Sequence, residues 1–213
     1  PVASIKGYAE TLLDGALEDH ENARDFVGII YADADRLARL INDILDLSRI
    51  ESGALPMAIK PCALREAAGK VISGLHKQIM EKALLVKNEI PEKFPLVAAD
   101  ADRIGQVFFN LVDNAIKYTP RGGKIVISAS DQDALVQVDV QDTGIGIPEE
   151  DLPRIFERFY RADTTQSRAG SSRGSGLGLA IAKSIVENHG GEIGVSSQVG
   201  IGTTFWTDFP CKS

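Results

Sequence analysis

Three short segments recur in no other order along this chain and lie far apart in it: FFNLVDNAIKYTP at residues 108–120, QDTGIGIPEE at 141–150 and GSGLGLA at 174–180. The first reads as a helix with two amides and a lysine on one face. The second reads as a strand end that enters a glycine turn through an acidic residue, and the third as a glycine-rich helix start. A chain that must bring these together is confined to architectures in which helices cover a sheet, and the site they form is equipped to hold a nucleoside triphosphate.

Spacing supports the helix. Between Asp102 and Lys117 there is no proline; Ile104, Phe108, Leu111 and Ala115 fall on one stripe, with Arg103, Gln106, Asn110, Asn114 and Lys117 opposite. Asn110 and Asn114 are one turn apart. A carboxylate at either position would repel triphosphate oxygens, whereas an amide carbonyl can ligate Mg²⁺ without adding negative charge. Taken alone, an Asn-x-x-x-Asn pair is better explained as the solvated face of an amphipathic helix; the other two segments reverse that weighting.

Leu135, Val136, Val138 and Val140 read as a strand that delivers Asp142 to a turn, where Gly144 and Gly146 let the backbone come close to a flat ligand. An acidic residue before Gly-x-Gly is usually only a turn. Its functional reading is an acceptor for the exocyclic amine of adenine. A hydrogen bond to a charged group contributes roughly 1.5–3 kcal/mol, about 10- to 150-fold in affinity. Gly174, Gly176 and Gly178 open a helix packed through Leu179, Ile181, Ala182, Ile185 and Val186, and N–H groups at such a start favour phosphate. No Gly-Lys-Ser/Thr closes a Walker loop, and a Rossmann fingerprint would follow an early strand. His189 reads as a cap at the far end of that helix.

The net charge of −7 repels a polyphosphate at long range, so local cations must supply the attraction: Lys117, Arg158, Arg161, Arg168 and Arg173. Arg158 and Arg161 stand nearest the aromatic cluster Phe156, Phe159 and Tyr160, which is expected to anchor one end of a mobile lid over residues 164–174.

In this arrangement the chain resembles the dimerisation and catalytic core of two-component sensor histidine kinases of the phosphate-regulon-sensor type. Residues 110–120 are similar to the family's N box, 142–147 to its G1 box, 156–160 to its F box and 174–179 to its G2 box; residues 200–203 resemble the turn of its final strand pair. The resemblance implies an α+β architecture: a helical hairpin, half of a dimeric four-helix bundle, over residues 1–52, then an α/β sandwich of the histidine kinase, gyrase and Hsp90 ATPase type over 57–213. It implies ATP and Mg²⁺ as ligands, with Asn114 the principal metal ligand and Asn110 its neighbour. Lys117 would meet phosphate and Tyr118 would lie against adenine. Asp142 would read the amine, and Gly144, Gly146, Ile147, Phe156, Arg158, Arg161, Gly174, Gly176, Leu177, Gly178 and Thr204 would complete the pocket.

The N-terminal segment fits the same family. Ile5, Tyr8, Ala9, Leu12 and Leu13 share one helical face, and Ile30, Leu37 and Ile44 recur at sevens with Leu40, Ile41 and Leu47 broadening the stripe. An intramolecular hairpin would satisfy part of this pattern. The breadth of the stripe favours a homodimer through residues 1–52. Residues 52–56 read as a hinge. The family's phospho-accepting histidine lies in a tract His-Glu-aliphatic-Arg-Thr-Pro-Leu, whose last two positions Pro1 and Val2 resemble. The acceptor is therefore expected upstream of Pro1, and His20 in the interhelical loop, His76 on a helix and His189 at a helix end are not expected to replace it. The chain as it stands is expected to bind ATP without phosphorylating itself.

The remaining features set bounds. Two cysteines, Cys62 and Cys211, are too few for a disulfide framework or a metal site, and no stretch is apolar enough to cross a membrane. A cytoplasmic portion of a membrane-bound sensor is expected, with membrane attachment only through upstream segments, a response-regulator receiver domain as partner and no nucleic acid. Two competing readings are an ATP-dependent scaffold without phosphotransfer, and an anti-sigma-type serine kinase, which would lack the helical hairpin. Helices are expected at 63–82, 102–117 and around 181–188, and strands at 124–130, 135–141, 192–196 and 203–209, with a short one near 84–89. Trp206 is expected to pack, not to recognise a ligand.

Overall fold

The structure is a computed structural model that describes residues 1–51, 57–132, 135–161 and 175–210. It comprises two compact units, Pro1–Ser48 and Arg49–Ser213. The expected hinge at 52–56 and the lid at 164–174 lie outside the described residues, as do Arg168, Arg173, Gly174 and Cys211.

The first unit is a helical hairpin. Helix α1 (Val2–Leu13) and helix α2 (His20–Glu51) are joined through a short 3₁₀ turn, Ala16–Glu18, entered at Gly15 with a positive φ of 119°. The Asp19 carboxylate accepts the Asn22 N–H at 3.3 Å, a helix-start bond. Helix α2 thus begins at His20, a residue expected in the interhelical loop. Tyr8 and Phe26 meet across the hairpin with ring centroids 5.3 Å apart, and Leu12 is buried while Leu13, expected on the same face, is exposed. At 32 residues against 12, α2 outruns α1 by roughly 30 Å. Along that overhang Ile41, Ile44 and Leu45 remain exposed.

In the second unit a five-stranded sheet has the order β2-β4-β5-β7-β6, built from β2 (Leu85–Asn88), β4 (Lys124–Gln132), β5 (Leu135–Asp142), β6 (Ile193–Gln198) and β7 (Gly202–Pro210). Only β2 and β4 run parallel; the other neighbours are antiparallel. Ile125 and Ile127, then Val136, Val138 and Val140, then Phe205, Thr207 and Phe209 alternate onto one buried face. Helices α3 (Leu64–Gly74), α5 (Ala101–Tyr118) and α6 (Gly178–Asn188) cover that face. On the opposite face Trp206 lies across Gly194, its register partner, where any side chain would collide with the indole. Trp206 therefore packs, as expected.

Two elements differ from the sequence reading. The helix expected over 63–82 is broken: Leu75 leaves helical geometry (φ −94°, ψ 6°) between α3 and α4 (His76–Glu81), directly after Gly74, a poor helix former, and its side chain is buried. A second, two-stranded antiparallel sheet joins β1 (Lys60–Cys62) to β3 (Val97–Ala99). Both strands are three residues long and one contains Pro61, so neither carries a readable alternation.

Helix α5 is fixed at its start by Asp100, whose carboxylate accepts the N–H groups of Asp102 (3.1 Å), Arg103 (3.2 Å) and Ala58 (3.0 Å). Partial burial pushes this carboxyl up, but the three donors and the Arg103 cation outweigh it and hold it below the usual carboxylate range. Asp100→Ala is expected to lower unfolding free energy by about 1–2 kcal/mol in urea titrations at neutral pH. Because the folded-state pKa is depressed, the stabilisation is present above the unfolded value and lost as pH falls through the folded one; the variant should be correspondingly less acid-sensitive.

Candidate functional site

Helix α5 presents Ile104, Val107, Phe108, Leu111, Val112, Ala115 and Ile116 to the core and leaves Asn110, Asn114 and Lys117 half-buried on its other side. The Nδ2 of Asn110 is buried and has no hydrogen-bond partner among the described residues. Its Oδ1 faces the start of α6: a methyl group added at Gly178 would lie 3.2 Å from it. The amide helix and the glycine-rich helix start therefore adjoin, as the spacing of the motifs anticipates. Lys117 is ion-paired with Asp113 one turn earlier on its own helix. Tyr118 ends the helix, half exposed.

Asp142 is the last residue of β5 and is only 6% exposed. One carboxylate oxygen accepts the Gly144 N–H at 2.7 Å. Burial pushes the carboxyl above its ordinary range, against the opposing pull of the Gly144 and Thr203 backbone N–H groups. A side chain at Gly144 would come within 2.6 Å of that carboxylate and 2.8 Å of the Tyr118 carbonyl, and one at Gly146 (φ +72°) would collide with the Gln198 carbonyl. Only glycine fits at either position.

The turn between them is tied on three sides. The Ile145 N–H donates to the Tyr118 carbonyl (3.2 Å), the Ile145 carbonyl accepts the Gly200 N–H (2.8 Å), and the Ile147 N–H donates to Ser197 Oγ (2.8 Å). Ser197 in turn donates to the Gly202 carbonyl (3.0 Å) and lies 2.9 Å from Thr203 Oγ1.

The aromatic segment joins the third motif through backbone: the Phe159 N–H donates to the Gly176 carbonyl (2.9 Å), with both residues at positive φ. Phe156 packs edge-on against Phe205, centroids 6.3 Å apart. Phe159, expected to anchor the lid, is instead 59% exposed. Tyr160 donates to Asp151 (2.5 Å), and Arg154 lies over the Tyr160 ring. Arg158 and Arg161 are both exposed beside this cluster.

Two expected pocket residues differ from the rest in where their side chains lie. Thr204 lies on the sheet face opposite Asp142, because β7 turns Thr203 and Phe205 inward; the residue paired with Asp142 is Thr203, and a one-residue step reverses the face. The Leu177 side chain is fully buried in the core, which leaves only its backbone for any ligand. His189 has both ring nitrogens engaged: Nδ1 lies 2.8 Å from the Ile185 carbonyl and Nε2 accepts the Asp100 N–H at 3.0 Å. Its role is structural, as its position at the helix end suggests.

Sequence reading missed Thr203, Ser197 and Asp113. Counting register back from the Gly-x-Gly turn, Gly200 to Gly202, would have found Thr203, and the i, i+4 relation to Lys117 would have found Asp113. Ser197 carries no local signal, since only pairing of β6 with β7 brings it to the turn.

Comparison with known proteins agrees with this geometry. Residues 99–213 match the family model of the histidine kinase-, DNA gyrase B- and HSP90-like ATPases, and residues 1–53 match the His kinase A (phospho-acceptor) domain. The sensor histidine kinase WalK of Bacillus subtilis is 34% identical over 100% of this chain and 34% of its own length. Drug sensory protein A of Synechocystis is 36% identical over 98% of this chain and 32% of its own length. The chain thus spans about a third of the length of these curated relatives. Among solved structures, full-length ShkA in complex with AMPPNP superimposes with a TM-score of 0.77 at 28% identity, covering 91% of this chain and 40% of that one. Histidine kinase ThkA in complex with response regulator protein TrrA does so with a TM-score of 0.78 at 27% identity, covering 100% of this chain and 58% of that one. With a phospho-acceptor-type helical hairpin preceding an ATPase sheet in which amide helix, glycine turn and glycine-rich helix start converge, the chain belongs to the two-component sensor histidine kinases, within the histidine kinase-, DNA gyrase B- and HSP90-like ATPase family.

Proposed function

We propose that this chain binds Mg-ATP in the second unit and serves as the core of a sensor kinase that passes the γ-phosphoryl group to a histidine and then to an aspartate of a response-regulator receiver domain. The observation that carries the reading is Asp142, a buried carboxylate at a turn whose two glycines admit no side chain. Two backbone N–H groups do not use all the acceptor sites of a carboxylate held out of water this way, and the exocyclic amine of adenine would be a further donor.

The polyphosphate end has independent support. The orphaned Asn110 Nδ2 is a buried donor lacking an acceptor, which a phosphate oxygen would satisfy, and the start of α6 stands beside it. Mg²⁺, when bound, would neutralise charge on the phosphates. Asn114, with Asn110 beside it, would hold that ion through amide carbonyls. Lys117 would exchange Asp113 for phosphate, and Tyr118, at the end of the same helix, would flank the base.

Imidazole is a competent nucleophile near neutral pH, so the residues here mainly position the nucleotide and balance its charge. His189 is excluded as acceptor by its two engaged ring nitrogens, and the reading assigns the acceptor to the histidine tract that Pro1 and Val2 resemble. The exposed stripe Ile41, Ile44 and Leu45 along the overhang of α2 supports a homodimer through residues 1–52. A receiver domain as partner is supported by the likeness to histidine kinase ThkA, whose structure is of a complex with response regulator protein TrrA. Among the described residues no helix is long and apolar enough to cross a membrane; a place in the cytoplasmic portion of a membrane-bound sensor is proposed from the likeness to sensor histidine kinases.

Asp142→Asn is expected to weaken ADP binding by about 10- to 150-fold in calorimetry with an unchanged circular-dichroism spectrum. In a chain extended upstream through the histidine tract, the same change should remove label incorporation from γ-labelled ATP. Full ADP affinity in the variant would place the base elsewhere. Magnesium should strengthen binding of a non-hydrolysable ATP analogue in the wild type but have little effect in Asn114→Ala, as read by titration with and without chelator. Ile44→Lys should convert a sedimenting dimer to monomer while ADP affinity is retained.

A further inference from the structure

Lys82 sits in the tight turn between α4 and β2, outside all of the motifs, and no role in nucleotide binding follows from its place in the sequence. Its Nζ donates to three main-chain carbonyls at the end of the amide helix: Ile116 at 2.7 Å, Lys117 at 2.8 Å and Thr119 at 3.1 Å. An ammonium has three donors, and all are used. The carbonyls at a helix C-terminus lack intrahelical partners and carry partial negative charge, so a cation there is favoured twice over. The two turns are joined further: the Gly122 N–H donates to the Lys82 carbonyl (3.0 Å), and Arg121 donates to the Glu81 carbonyl (2.7 Å).

The carbonyl that Lys82 does not take is that of Tyr118. This one accepts the Ile145 N–H and closes against Gly144, whose own N–H holds the Asp142 carboxylate. A line of main-chain contacts therefore runs from the Lys82 ammonium through the last turn of α5 to the group proposed to read adenine. Burial draws the Lys82 pKa below its ordinary value by desolvating the ammonium.

We propose that Lys82 is a positioning residue of the nucleotide site: by clamping the Ile116, Lys117 and Thr119 carbonyls it orients the Tyr118 carbonyl toward Ile145 and so sets the glycine turn that presents Asp142. The inference rests on the nucleotide reading above for its consequence, and on the hydrogen bonds alone for its geometry.

Lys82→Met, nearly isosteric and without donors, separates the two in the full chain. Amide hydrogen exchange at Ile145 should accelerate about tenfold or more, while amides in the central strands, such as Ile127 and Val138, keep wild-type protection. ADP affinity should fall about tenfold or more. Lys82→Arg, a planar fork that cannot serve three converging carbonyls as an ammonium does, should recover only part of both. Unchanged Ile145 exchange overturns the proposal, as does a uniform rise in exchange across the sheet with unaltered affinity, which would make Lys82 a stability residue only. If the wild type binds no ADP, the nucleotide reading falls, and Ile145 exchange still decides whether Lys82 sets the turn. Should Lys82→Met fail to fold, Lys82→Gln, which keeps an amide donor, is read by the same two measurements.

Discussion

Helix α5 is held at both ends by charges of the sign its dipole favours, and the second unit is organised around that clamp. At its start the Asp100 carboxylate takes two of the helix's orphan N–H groups and the Ala58 N–H besides; at its end the Lys82 ammonium takes three carbonyls. An 18-residue helix with both termini fixed cannot slide or rotate without breaking several charge-assisted bonds at once. This matters because one face of the helix is core and the other carries the amides. A rotation by one residue, about 100°, would turn Asn110 and Asn114 away together.

The clamp also reaches the other two motifs. Through Asp100 it touches α6, since the Asp100 N–H donates to His189 at the C-terminal end of that helix. Through Tyr118 it touches the glycine turn. The amide helix and the glycine turn are thus connected by a main-chain bond, while α6 is tied to the start of α5 at its C-terminal end and meets the Asn110 side chain at its glycine-rich start. Two of the functional groups sit in unfavourable surroundings: the Asn110 Nδ2 is buried without an acceptor among the described residues, and the Asp142 carboxyl, though held by the Gly144 and Thr203 N–H groups, has its pKa raised by burial. Such groups are unfavourable in an unliganded protein and persist where surrounding structure over-determines them.

How much of this was legible in the chain follows from the range over which each signal acts. The amphipathic period of α5, the alternation in β5 and β7 and the glycine starts are local, and they placed Asn110, Asn114, Asp142, Gly144, Gly146, Gly176 and Gly178 on the elements where they are found. What escaped was non-local or one step off. Thr204 was expected at the pocket, but strand phase depends on which residue pairs with Asp142, and that residue is Thr203; two adjacent threonines give no internal clue. Lys82 and Ser197 act across 34 and 50 residues of sequence respectively. The three-residue strands β1 and β3 are too short to show a period. Leu13 was assigned to the buried stripe of α1 although it lies directly beside Leu12, and two consecutive helical positions, about 100° apart, seldom share a narrow buried face.

The charge problem posed by the sequence has a resolution in the same geometry. A chain with net charge −7 must attract a polyanion, yet Lys117, the cation on the amide face, is already engaged by Asp113. Were Lys117 the principal attraction, that pairing would oppose binding, because phosphate must compete with a carboxylate only one helical turn away. The amide-and-backbone arrangement avoids the competition. In the proposed site Asn110 Nδ2 and the N–H groups at the start of α6 would attract through fixed dipoles, oriented by the helices that carry them. In the proposed site the Asp113–Lys117 pair would then favour a group carrying more negative charge than one carboxylate, such as a metal-bridged polyphosphate, over weaker anions. On the proposed reading, specificity for a nucleotide would come from the neutral donors and the buried Asp142, with Lys117 adding discrimination by charge.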